Sequence, residues 1–186
     1  MLNGNSRDIE QALREGKITL GLIEGTAHQS TLHYTPFMRD ELVVVAHTGS
    51  SLAAYDEISL EQLRTLPLVL RENGSGTLDV VEAALAEHQV KLSQLNVVLQ
   101  MGSTESIKLF LENSEALGIV SIRAVTRELM SGRLKVIEVE GFRAERMLPL
   151  PSRRDRTGEW KRASSDMPAK TGDNLMLYSI KYIRKG

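Results

Sequence analysis

Apolar positions along this chain recur at two spacings, and the switches between them mark its elements. In SRDIEQALREG, Ile9, Ala12 and Leu13 share one helical face, Ser6 stands where an N-cap belongs and Gly16 where a helix stops, predicting a helix over about 7–15. ITLGLIEG reads as a strand buried on both faces, and YTPFMRDELVVVAH as two extended segments broken near Arg39 and Asp40. SLEQL offers a capping box, Ser59 with Gln62, opening a short helix that ends before Pro67. PLVLR is then a strand, and Leu78, Val81, Ala84, Leu85 and His88 form the stripe of a helix over 77–88. LNVVLQM (strand), STESIKLFLEN (helix), ALGIVS (strand), IRAVTRELMSG (helix) and LKVIEV (strand) continue the series.

Strands and helices taking turns across short connections predict an α/β fold, with a mainly parallel sheet and helices on its faces. Such sheets bind ligands in the crevice at the carboxyl ends of their strands. Two loops fall at such ends. RENGSGT (71–77) follows PLVLR, and MGSTESIK (101–108) follows LNVVLQ. Gly74 and Gly76 permit unusual backbone angles and close approach to the main chain, while Ser75 and Thr77 carry hydroxyls. Opening amides of a helix lack intrahelical partners and hold the positive end of its dipole, which suits an anion or a small carboxylate. Gly102, Ser103 and Thr104 repeat the design. By itself each loop also reads as a plain turn with an N-cap, and Glu105 could satisfy the second dipole from within the chain. Neither carries the Gly-Lys-Ser/Thr ending of a nucleotide loop or the GxGxxG spacing of a dinucleotide fingerprint.

Composition narrows the class. The chain of 186 residues is 41% hydrophobic and 25% charged, as in an ordinary globular protein, with no cysteine for disulfides or thiolate metal sites. A net charge of −1 gives no general basic field for nucleic acid. The charge is uneven, however. Residues 143–186 hold 11 Lys or Arg against 5 Asp or Glu, a net of +6, and the preceding 142 hold 12 against 19, a net of −7. That basic tail reads as a solvated extension or as a contact for nucleic acid. No apolar run reaches the length of a membrane span and no leader is visible, so the expected location is the cytoplasm.

The run GNSRDIEQALREGKITLGLIEG, the segment PFMRDELVVVAHTGSSLA, the loop LRENGSGT, the opening GSTESIK and the strand ALGIVS together resemble the effector-binding domain of LysR-type transcriptional regulators. The resemblance covers residues 4 to about 147, in order and spacing. The loop's form is most like that of regulators of cysteine, sulfur and carbon-fixation metabolism. It implies a two-lobed fold of the type II periplasmic-binding-protein kind, with an effector held between lobes joined by two crossing strands. The first lobe, incomplete at its N-terminus, would span 1–72, the second 73–142 and the returning crossover 143–150, leaving 151–186 as an atypical basic tail. By the family's motif, Ser75, Gly76 and Thr77 would line the effector site with Ser103 and Thr104 nearby, and Pro36 and Phe37 would form a wall. Phe37 equally reads as a core aromatic. The implied partners are a small anionic metabolite and, through a helix-turn-helix absent from this chain, DNA. The full-length form would be a homodimer or tetramer, with no membrane partner, metal or cofactor.

Departures from the family pattern accompany these matches. The family's opening strand and helix do not precede GNSRDIEQAL, and after residue 147 ERMLPLPSRRDRTGEW does not read as the family's next strand and closing helix of the first lobe, because Pro149 and Pro151 remove strand donors. The expectation is a truncated or frame-altered product, with LMLYSIKYI as a strand of unassigned pairing. An enzyme finds little support. His28, His33, His47 and His88 lack metal-ligand spacing, and His88 reads as a core or boundary residue. There is no GxSxG elbow, and the paired acids Asp40 and Glu41 read as an exposed turn. The alternative is a solute-binding protein of a transporter, which shares the fold but requires export.

Overall fold

A computed structural model of the protein describes residues 6–24 and 29–153. The chain divides into two units, one formed by residues 39–146 and the other by the segments on either side. Strand pairing accounts for the place of β1 in this division. Residues 42–46 of strand β1 (Leu32–His47) run antiparallel to strand Leu117–Ser121, and residues 44–47 pair along their other edge with strand Leu134–Val139. Sequence expected in the first lobe thus supplies a central strand to the sheet of the second unit.

In chain order after α1 (Ser6–Arg14) and β1 come β2 (Glu57–Ile58), α2 (Leu60–Thr65), β3 (Leu68–Arg71), α3 (Gly76–Glu87) and β4 (Val97–Met101). They are followed by α4 (Thr104–Leu111), β5 (Leu117–Ser121), α5 (Thr126–Met130), β6 (Leu134–Val139) and β7 (Ala144–Arg153). The strand order is β2-β6-β1-β5-β3-β4, with β7 pairing to β1. β3 is parallel to β4 and β5, and β2 to β6, whereas β1 is antiparallel to β5 and β6. The sheet is therefore mixed. Its parallel pairs are the ones reached through helical crossovers. β1 is also one continuous strand, without the expected break near Arg39 and Asp40.

Both faces of the sheet in the second unit are covered. Leu42, Val44 and Ala46 of β1 face a core shared with Leu63 of α2 and with Leu78, Val81 and Leu85 of α3. The intervening Val43 and Val45 face Ile107 and Leu111 of α4 and Val125 before α5. Alternation along one strand thus sends neighbouring side chains into two cores. Leu85, Ile107 and Leu111 are fully buried, each contributing about 1.5–3 kcal/mol by leaving water. A Cβ built on Gly118 of β5 would lie 2.9 Å from Leu111 Cδ1 and 3.0 Å from Ile107 Cγ2. Glycine there lets α4 approach the sheet closely.

Local chemistry sets the helix ends. Ser59 Oγ accepts from Gln62 N (3.2 Å) while Gln62 Oε1 accepts from Ser59 N (2.8 Å), the capping box expected of SLEQL. The helix expected over 122–132 divides into a 3-10 turn (Ile122–Val125) and α5. His88 departs from the expected stripe, standing exposed as the C-cap of α3. At the other end of the strand order, β4 forms an edge on which Val98 (50%) and Leu99 (37%) are exposed.

In the other unit Ile9 and Leu13 of α1 pack with Ile23 and Leu32. Contrary to expectation, β7 runs straight through Pro149 and Pro151. The prolines still accept: Gly21 N donates to Pro151 O (3.1 Å) and Ile23 N to Pro149 O (3.4 Å). In antiparallel pairing each of these couples would normally exchange two bonds, and proline supplies no return donor. Half of that ladder is thus missing. Among the described residues of ITLGLIEG, 18–24, the expected strand accordingly does not form, and Leu20 makes an isolated bridge to Ser152. The basic tail beyond Arg153, LMLYSIKYI and His28 lie outside the described residues.

Candidate functional site

The carboxyl ends of β3, β4 and β5 lie together. Arg71, the last residue of β3, is in register with Met101, the last of β4, and β5 runs parallel to β3. α3 leaves β3 toward one core, whereas α4 and α5 leave β4 and β5 toward the opposite one. Adjacent strands whose helices depart to opposite faces create a topological switch point, where open α/β sheets hold ligands. RENGSGT and MGSTESIK are the two loops that open there.

The first loop begins with a turn in which Ser75 N donates to Glu72 O (3.1 Å) and Gly74 takes φ +85°. That positive angle at the third turn position is the one glycine favours. Gly76 shows no such angle; it is the first residue of α3, so freedom of φ does not account for it. Ser75 is the N-cap, 1% exposed, its Oγ accepting from Leu78 N (3.1 Å). In the second loop Ser103 caps α4 by accepting from Ser106 N (3.1 Å). Both serine hydroxyls thus serve their own helices. Thr104 is buried, whereas Gly102 is exposed and a Cβ built on it meets nothing within 4 Å. The loops are joined. Arg71 holds Glu72 in a two-bond fork (2.8 and 3.1 Å) and reaches Gly102 O (3.4 Å). Burial pushes the Glu72 carboxyl up, but its hydrogen bonds and the Arg71 charge outweigh this and hold it below the usual range.

Beside Thr77 lies a charged cluster that the sequence reading missed. Arg146 of β7 donates to Asp40 Oδ2 through Nε (2.8 Å) and Nη2 (2.6 Å), with side chains 1% and 0% exposed. Ser121 Oγ donates to Asp40 Oδ1 (2.6 Å), and Arg146 Nη1 donates to Thr77 Oγ1 (3.1 Å). Asp40 is therefore not in an exposed turn. A usable signal was present: Asp40 shares the parity of Leu42, Val44 and Ala46, and Arg146 that of Ala144 and Leu148, so both point where apolar residues point. Two opposite charges on inward positions need each other.

Of the expected site residues, Ser75, Gly76, Thr77, Ser103 and Thr104 thus occupy the switch point. Pro36 and Phe37 belong to β1 in the other unit, where Pro36 is exposed and Phe37 half-buried. Among the described residues no group of three or more acidic, His or Cys side chains could hold a metal, and no helix is long and apolar enough to cross a membrane.

Residues 1–159 match the model of the LysR substrate binding domain. The chain is 35% identical over 136 residues to the uncharacterized HTH-type transcriptional regulator YeiE of Escherichia coli, covering 73% of this chain and 45% of that protein. It is 32% identical over 139 residues to the HTH-type transcriptional activator CmpR of Synechocystis, covering 75% and 45%. The chain spans about half the length of these curated relatives. Among solved structures, the regulatory domain of Synechocystis CcmR in complex with 2-PG superposes with a TM-score of 0.73 at 22% identity, covering 89% of this chain and 82% of that one. The effector binding domain of QuiR in complex with shikimate gives 0.70 at 18%, covering 82% and 70%. These likenesses show the periplasmic-binding-protein-like fold of such domains. With the family model matching most of its length, the chain belongs to the LysR substrate-binding domains, the effector-binding part of LysR-type transcriptional regulators.

Proposed function

We propose that this domain senses a small anionic metabolite at the opening of α3, and that in a full-length regulator of this family the sensing alters how paired domains hold DNA. The observation that carries the reading is the switch point itself, where the loops that open α3 and α4 leave the ends of paired strands and are joined by Arg71. The dipole ends and opening amides of two helices favour negative charge there. No free buried cation is needed, and Arg146 is not one, because Asp40 already neutralises it. The two solved relatives were captured with small ligands, 2-PG and shikimate, in keeping with a small-molecule effector. The kinship to regulators argues against catalysis as the role of Ser75 or Thr77.

A thermal-shift screen of carboxylates, phosphates and sulfur metabolites tests this reading. A true effector gives a saturable rise in melting temperature, following the linkage of binding to stability. Thr77→Val is expected to abolish that rise while the chain stays folded; an unchanged rise rejects the site. Phe37→Ala tests the wall that the family motif assigns to Pro36 and Phe37.

A further inference from the structure

The Asp40–Arg146 pair joins the two strands through which the chain enters and leaves the second unit, β1 and β7. Its side chains are out of solvent, and together they are neutral. A buried ion pair of this kind is a weak source of stability, because a well-packed apolar pair of similar volume generally does as well or better. What an apolar pair cannot supply is direction. Asp40 takes two guanidinium nitrogens on one oxygen and Ser121 on the other, which fixes the plane of the guanidinium. The third nitrogen then points at Thr77 Oγ1, in the first turn of α3.

We infer that Arg146 is a positioning residue of the effector site, oriented by Asp40, and that it holds Thr77 and the first turn of α3 in a fixed relation to β1 and β7. This rests on the reading of the α3 opening as the effector contact. A charged donor on the threonine oxygen fixes the Thr77 side chain, and with it the opening of α3, relative to the strands that hold Arg146 and Asp40. Effector bound at α3 is thereby linked to the strands that carry the chain out of the unit.

The test compares the full chain with Asp40→Asn/Arg146→Met, which removes both charges and orphans neither, and with Arg146→Lys, which keeps the charge but loses the three-way fork. Amide hydrogen exchange is read first, without ligand. In the double variant the amides of residues 77–79 are expected to exchange at least tenfold faster while those of Val43–Ala46 are unchanged; if the double variant does not fold, Arg146→Lys carries the same expectation. Unchanged exchange at 77–79 overturns the inference. Melting shifts are then titrated with 2-PG, shikimate, sulfate and inorganic phosphate. For any probe that shifts the parent chain, half-saturation is expected to rise at least tenfold in these variants. Faster exchange with unaltered half-saturation reduces the pair to a structural role and also overturns it. If Thr77→Val leaves the probe response intact, the effector reading itself fails. If Thr77→Val abolishes the response while the double variant retains it, only the role of Arg146 fails.

Discussion

At the residue scale the consequential feature is a carboxylate with no solvent to fall back on. Asp40→Ala leaves Arg146 charged and buried without its counter-ion, an expected loss of about 3–5 kcal/mol visible as a lower urea midpoint. Removing both charges is expected to cost far less, and the difference is the signature of a paired burial. A second polar residue, Glu10 on the apolar face of α1, is 4% exposed and accepts from Tyr34 Oη (2.6 Å) and Gln29 Nε2 (2.9 Å). Burial, together with that bond to Glu10, pushes the Tyr34 phenol up to about 12. Since the folded value exceeds the unfolded one of about 10, the proton is retained longer in the fold. The associated stability is complete below about pH 10 and is lost as pH rises toward about 12. Alkaline difference absorbance should show a tyrosine ionising well above about pH 10, and Glu10→Gln should bring its midpoint down. Neither acid was legible as buried from its type alone. Strand parity located Asp40 in principle, but a charged pair at a strand's middle reads more readily as a turn when its partner lies 106 positions away.

At the element scale, helices signalled by local chemistry were the most legible. Ser59 and Gln62 are three residues apart, so their bonding is a matter of near neighbours, and the helix followed where the capping box stood. Ser59→Ala is expected to cost about 1 kcal/mol in an unfolding titration. The strands were harder, because their partners are remote. ITLGLIEG has the composition of a strand but faces two prolines, and ERMLPLPSR has the composition of a breaker yet forms β7, since a proline retains its carbonyl. Each was misread from one side of a pairing that only both sides define. Gly118→Val places carbon where Leu111 and Ile107 already are, so a loss of about 1–3 kcal/mol is expected, with the denaturant slope unchanged.

At the scale of the whole molecule, the family resemblance conveyed the architecture, but the division of the chain depended on which strands pair. β1 is one continuous strand, yet its first seven residues belong to one unit and the remainder to the other, and the Arg39–Asp40 stretch that reads in sequence as a break falls at that boundary. The second unit has a sheet with a core on each face, and its bounds include both members of the Asp40–Arg146 pair. A chain cut to residues 39–146 is therefore expected to unfold cooperatively by itself, as circular dichroism on heating would record. A featureless, non-cooperative melt would show that this unit depends on the segments outside it.

The edge strand β4 bears on the handling of the protein. Among the described residues its outer edge is unpaired beside the exposed Val98 and Leu99, and an apolar rim of this sort invites edge-to-edge stacking as concentration rises. A lysine at position 98 would act as a gatekeeper against such stacking. Val98→Lys is expected to extend the concentration range over which light scattering reports a monodisperse sample.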